Sequence, residues 1–209
     1  MIRNTREHDL RNGPADLPAA MSPRKWEITC SIAKAFAARG YHAVGMRDLA
    51  GELGLNPGTL YHHFPSKDEA LLAICLVGQA EVSANLDDAL AHHAAFAPRI
   101  RALFAAHQAS LHRIGDFIDV YTSRWQDLPQ DLAAPLREGW RAQRSCFDAL
   151  FEDALARGEI ASDIPVKDGI RLLMGIFRTV NVLHRTGRKE DIPGFVEHAV
   201  TVILRGMGA

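Results

Sequence analysis

The chain has 209 residues, 47% of them hydrophobic and 23% charged, which is enough apolar material for one large or two small domains with a sizeable core. Its 24 basic and 25 acidic residues give a net charge of −1, and residues 1–69, with nine basic and eight acidic groups, reach only +1, so overall charge does not mark it as a nucleic-acid binder. Three scattered cysteines without Cys-x-x-Cys spacing argue against a disulfide framework, and the lack of a signal-peptide run or of any window near 18 apolar residues leads us to expect a cytoplasmic protein with no membrane partner.

Residues 1–21 mix Arg3, Arg6 and Arg11 with Asn, Gly and Pro and show no apolar period, so we expect a mobile extension there. Ser22 and Pro23 are a helix start. Ile28, Ile32, Ala35 and Phe36 then form a buried stripe that stops at Gly40. Met46, Leu49, Ala50 and Leu53 recur at helical spacing before Gly54, a position where the backbone must turn with positive φ. Asn56 can cap the next helix, Pro57 suits its first position, and Leu60, Tyr61 and Phe64 give it an apolar side until Pro65 closes it after about two turns. Ser66 with Glu69 three residues on reads as a capping box. The helix it opens runs through Leu72, Leu76 and Val82 towards His93, and we expect it to join two halves of the chain mechanically.

Further helices are expected at about 98–113, 115–126, 131–157, 166–186 and 191–206. They are punctuated by Pro98, Gly115, Pro129, Gly158, Pro165 and Gly187, and Ser162-Asp163-Ile164-Pro165 reads as the start of the fourth of them. The fold class is therefore all-α, with about nine helices and no strands. The domain organisation expected is an extension over 1–21, a three-helix module over 22–82 and a helical domain over 83–209.

Two short helices joined by a glycine turn make a helix-turn-helix, whose second helix can lie in the DNA major groove. The run Arg47-Asp48-Leu49-Ala50, Leu53-Gly54, Gly58-Thr59-Leu60-Tyr61-His62-His63-Phe64 and Ser66-Lys67-Asp68-Glu69 before Leu71, with Ile28, Phe36 and Gly40 upstream, resembles the tetracycline-repressor-like (TetR/AcrR) family of transcriptional regulators. The resemblance covers about a third of the chain. Where that family usually opens its first helix with Ser or Thr, Gly45 stands here and offers no hydroxyl to a phosphate.

Position along the motif assigns DNA contacts. Asn56, Pro57, Gly58 and Thr59 would approach the groove, with Gly58 allowing close approach and Pro57 or Thr59 touching a thymine methyl. Tyr61 and His62 would reach phosphates, as would Lys67 at the start of the following helix. Arg47 would face the backbone or a base edge. The resemblance implies the same roles. Leu60 and Phe64 read as core, and His63 as packing. With few charges facing the groove, a symmetric dimer reading a palindrome is expected.

Ile170, Leu173, Met174, Phe177 and Asn181, then Ile192, Phe195, Val196, Ala199 and Ile203, form apolar faces on the last two helices. The resemblance implies that these helices pair with a second subunit as a four-helix bundle, although an intrachain core would show the same period. The middle helices mix rings and polar groups, and we take Phe104, His107, Phe117, Tyr121, Arg124, Trp125, Trp140 and Phe147, with Met174 and Phe177, as candidate ligand residues. Phe117, Tyr121, Arg124 and Trp125 share a helical face. Arg124 could hold an anionic group, or could pair with Asp127. The region also looks like the branch of the family that senses acyl thioesters of coenzyme A, and Arg137, Arg141 and Arg144 form a basic cluster that suits phosphates or simply a solvated face. No cofactor, no metal site and no catalytic set is expected. The function expected is a homodimeric repressor released from operator DNA by a small molecule, with a transcriptional activator and an all-helical enzyme or carrier as alternatives.

Overall fold

The computed structural model describes residues 21–160 and 165–206. The extension expected over 1–21 and the helix start at Ser162-Asp163-Ile164 fall almost wholly outside the described residues. Among the described residues there are eight α-helices and no strand: α1 (Pro23–Arg39), α2 (Met46–Glu52), α3 (Pro57–His63), α4 (Lys67–His92), α5 (Phe96–Arg124), α6 (Ala134–Ala156), α7 (Val166–Arg185) and α8 (Asp191–Gly206), with a 3-10 turn over Trp125–Asp127. The difference from nine lies in α5. It is one continuous element where two helices were expected, but Ile114 breaks its geometry (φ −135°, ψ 37°) one residue before Gly115.

The caps explain the boundaries. Ser22 Oγ accepts from Lys25 N at 3.3 Å, Asn56 Oδ1 accepts from Gly58 N at 2.9 Å, and Ser66 Oγ accepts from Glu69 N at 3.1 Å. Each bond satisfies an amide that the first helical turn leaves without a partner. At the other ends Gly40 (φ 88°) and Gly54 (φ 61°) take the left-handed side of the map, where a Cβ would be strained.

The described chain forms two compact units. The first comprises residues up to Glu81 and Arg113–Glu138. Its core holds Ile28, Ile32, Phe36, Leu49, Leu60, Phe64, Leu71 and Ile74, all nearly inaccessible to solvent. α2 and α3 pack against each other. A two-pronged pair, Arg39 Nη1 to Glu52 Oε1 at 2.6 Å and Nη2 to Oε2 at 2.9 Å, ties the end of α1 to the end of α2. Gly78 lets α4 lie close on the second half of α5, because a Cβ there would stand 2.7 Å from the Phe117 carbonyl oxygen.

The second unit comprises Val82–His112 and Gly139–Ala209. Its core gathers Leu86, Phe96, Ile100, Phe104, Leu150, Phe151, Ile170, Leu173 and Val200. α7 and α8 pack against each other. Part-buried polar pairs tie helices of this unit together: Asn85 Nδ2 donates to Ser110 Oγ at 3.0 Å, and Gln143 Nε2 donates to Ser83 Oγ at 2.9 Å.

One sequence expectation needs correction. α4 is long and apolar enough, by length and composition alone, to cross a membrane, whereas no such window was expected. Its apolar side chains have another use, since Ala70, Leu71, Ile74, Cys75, Val77, Leu86 and Ala89 are buried within the protein.

Candidate nucleic-acid interface

α3 is short because Asn56 and Pro57 start it and the extended Phe64 (φ −137°) ends it. Its inward side is held by Leu60 and Phe64, at 0% and 2% exposure. That anchoring turns the rest outward. Asn56, Pro57, Gly58, Thr59, Tyr61 and His62 are all exposed, Tyr61 at 43%. The structure therefore brings six of the eight DNA-contact candidates onto one helix and its cap. Arg47 is exposed on α2, and Lys67 is half-buried at the first position of α4.

Basic groups gather at the His63 end of α3 despite the even overall balance. His63 is held below the ordinary histidine pKa, first by burial and then by the charges of His62, Lys25 and Arg24. Lys25 lies over the Phe64 ring, 5.0 Å from its centroid. Sequence reading gave Arg24 and Lys25 no role, and only folding places them beside the end of α3. Lys67 is lowered by burial, with Asp68 opposing the shift.

The ten ligand candidates are divided between the two units. In the first, Phe117 stacks on Trp26 with 5.1 Å between centroids. Tyr121 accepts a hydrogen bond from Gln79 Nε2 at 3.2 Å, and the same nitrogen donates to the Leu136 carbonyl at 2.8 Å. Arg124 Nη1 stands 3.7 Å from Asp127 Oδ2, and Trp125 is half-buried at the start of the 3-10 turn. In the second, Phe177 stacks on Phe104 at 4.3 Å and meets the His107 ring edge-on at 4.9 Å. His107 Nε2 lies 2.7 Å from Asn181 Oδ1. Phe147 is buried nearby in the same core, while Trp140 and Met174 are exposed.

None of the ten lines either of two surface grooves. A groove of about 340 Å³ in the second unit is bordered by Leu90, Arg99, Cys146, Ala149, Leu150 and Asp153. One of about 180 Å³ in the first is bordered by Lys25, His63, Phe64 and Glu69 among others. Sequence reading missed Gln79, Asn85, Ser110 and Gln143, whose signal was a polar residue at an apolar helical position.

Cys30 and Cys75 are free thiols pushed up to about 12 by burial, with Asp116 raising the first further and Asp127 the second. Such thiols stay protonated at neutral pH. Among the described residues no group of three or more His, Cys, Asp or Glu side chains gathers as a metal site requires.

Comparison with known proteins agrees with the helix-turn-helix geometry. Residues 30–74 match the family described as bacterial regulatory proteins, tetR family. The HTH-type transcriptional repressor KstR2 of Rhodococcus jostii is 26% identical over 204 residues, covering 94% of this chain and 97% of that protein. Two solved structures share the fold. The ketosteroid transcriptional regulator KstR2 of Mycobacterium tuberculosis superposes with a TM-score of 0.76 at 23% identity, covering 88% of this chain and 94% of the other. AibR, solved with isovaleryl coenzyme A and operator DNA, gives 0.68 at 17% identity, covering 79% and 96%. With the motif, the family match over residues 30–74 and the KstR2 relative in agreement, the chain carries the helix-turn-helix domain of the tetR family of bacterial regulatory proteins and is a helix-turn-helix transcriptional regulator.

Proposed function

We propose that the protein is a cytoplasmic homodimeric repressor that reads a palindromic operator through α3 and releases it when a small molecule binds. The observation that carries this reading is the outward display of Asn56, Pro57, Gly58, Thr59, Tyr61 and His62 above the buried Leu60 and Phe64. Short polar and aromatic groups of this kind suit base edges and phosphates, and Arg47 and Lys67 add charge at the flanks. One copy offers few charges, so two copies on successive major grooves, about 34–36 Å apart, supply the affinity.

The dimer surface we assign is the outer side of α7 and α8. Leu172 (56% exposed) and Val182 on α7 and Val202 (70%) on α8 are large apolar groups facing solvent. On α7, Leu172, Gly175, Thr179 and Val182 follow spacings of three and four, which is the pattern of a helix-pairing seam.

Residues 22–82 would read DNA, and 83–209 would bind the effector and the second subunit, with 113–138 packed into the compact unit that carries α3. For the effector, the buried His107–Asn181 pair amid Phe104 and Phe177 offers polar anchors in an apolar setting. AibR, solved with isovaleryl coenzyme A, directs the choice to acyl-coenzyme A thioesters, which combine an apolar acyl group with an anionic carrier. A ligand that binds the released state more tightly shifts the protein from DNA.

The test is selection of a duplex from a random-sequence pool, followed by titration of acyl-coenzyme A thioesters into the complex. Enrichment of a palindrome, and its release by one such compound, support the reading. Failure to enrich any sequence refutes it.

A further inference from the structure

Lys67 opens α4, and its ammonium lies 4.2 Å from the centroid of the Tyr41 ring. That ring is fixed on several sides. It is 6% exposed, it meets Phe36 edge-on at 5.2 Å, and His42 packs against it at 5.1 Å. Its hydroxyl donates to Asp68 Oδ1. The phenol is raised above its ordinary pKa, chiefly by burial and then by the Asp68 bond, so at neutral pH it keeps its proton and remains a donor.

The chemistry of Asp68 makes this arrangement consequential. A carboxylate next in sequence to a lysine at a helix start is well placed to pair with it, and a paired ammonium is a poor partner for phosphate. Here the carboxylate is engaged by the Tyr41 hydroxyl, and the ammonium rests on the ring face. A ring face attracts a cation without supplying a hydrogen-bond acceptor in its plane, so the ammonium's N–H donors that point away from the ring stay available. It also narrows the rotamers of a side chain that otherwise loses considerable freedom when it binds.

We propose that Tyr41 is the positioning residue for the phosphate contact of Lys67: its ring holds the ammonium at the start of α4 while its hydroxyl keeps the Asp68 carboxylate occupied. This rests on the reading of Lys67 as a DNA contact given above. Tyr41 itself is buried and touches no DNA. It acts through Lys67.

The test measures affinity across a range of salt concentrations for the duplex that the intact protein enriches, using Lys67→Ala, Tyr41→Phe, Asp68→Asn and their combinations, each checked for helicity and melting temperature. Lys67→Ala is expected to weaken binding about 10-fold and to flatten the salt slope by about one per subunit. Tyr41→Phe keeps the ring but frees Asp68 to pair with Lys67, so it is expected to weaken binding about 3- to 10-fold and to flatten the slope in part. Adding Asp68→Asn to Tyr41→Phe restores both, and adding Tyr41→Phe to Lys67→Ala costs nothing further. Additive losses, absence of rescue, or a silent Tyr41→Phe beside an effective Lys67→Ala overturn the positioning role alone. An unchanged slope in Lys67→Ala overturns the Lys67 contact and the positioning role together.

Discussion

Trp26 of α1 and Phe117 of α5 stack nearly face to face, 5.1 Å between ring centroids and 15° between planes, although 91 positions separate them in sequence. Their contact helps place residues 113–138 in the same compact unit as the helix-turn-helix. Both rings are almost fully buried, at 3% and 2% exposure. Replacing Phe117 with Ala removes a ring from a closed site and is expected to cost about 3–5 kcal/mol. The close approach beside it is equally specific. Gly78→Ala drives a Cβ to 2.7 Å from a backbone oxygen and is expected to cost about 1–3 kcal/mol. Gly51→Ala, on α2 with nothing within 4 Å, is expected to stabilise by up to about 1 kcal/mol. Urea denaturation of the three variants checks the ordering.

Gly45 caps α2 with no side-chain hydrogen bond. A serine there would bring its Cβ to 2.8 Å from Asp48 Oδ2, but that oxygen ends a flexible exposed side chain and can swing away. Stability of Gly45→Ser is expected to change by only a few tenths of a kcal/mol. If α2 starts against the DNA backbone, as the proposed grip requires, the serine hydroxyl bonds a phosphate and operator affinity is expected to rise about 3- to 10-fold. Anisotropy titration of the enriched duplex reads the change, and equal affinity for both proteins would show that α2 starts away from the DNA backbone.

The elements were legible in the chain because helix ends are local events. Ser22, Asn56 and Ser66 cap as their spacing predicts, and Gly40, Gly54, Gly158 and Gly187, each expected as a stop, all carry positive φ. The exposed side of α3 followed from Leu60 and Phe64 being core. What sequence spacing does not carry is the identity of the surface that a helical face meets. Phe117, Tyr121, Arg124 and Trp125 do recur at spacings of three and four, yet Phe117 packs on Trp26 and Tyr121 binds Gln79, each partner coming from a distant segment. Arg124 faces Asp127, the local pairing that was one of the two alternatives its position offered. The same limit hid Lys25 beside Phe64, since the pairing joins α1 to the residue that ends α3.

For the dimer surface, Leu172→Glu with Val182→Glu places charge on positions that are already exposed in the single chain. In a monomer the two changes are solvated and cost little. At an interface they bury unpaired carboxylates, so sedimentation velocity is expected to show dissociation, and operator binding is expected to fall with it. A variant that still sediments as a dimer would move the interface elsewhere.

His63 supplies a pH dependence with a definite sign. Its pKa is lowered in the folded protein, by burial first and then by its cationic neighbours, so the unfolded chain takes up a proton more readily. Its contribution to stability is therefore full above the ordinary histidine value of about 6.5 and is lost as pH falls below it. Melting temperature is expected to decline on acidification from about pH 7.5 to about 5.5, and His63→Gln is expected to flatten part of that decline. An identical slope in the variant would remove His63 as the source of the decline.

A grip on DNA by the outward side of α3 and the start of α4 is the step on which the proposed regulation depends. The most direct measurement compares the intact protein with the Tyr61→Ala, Lys67→Ala double variant for binding to the enriched duplex across a range of salt concentrations. If Tyr61 and Lys67 reach phosphates in each subunit of a dimer, as proposed, affinity is expected to fall at least about 100-fold and the salt dependence to become shallower. A folded double variant that binds as tightly, and with the same salt slope, would contradict that grip.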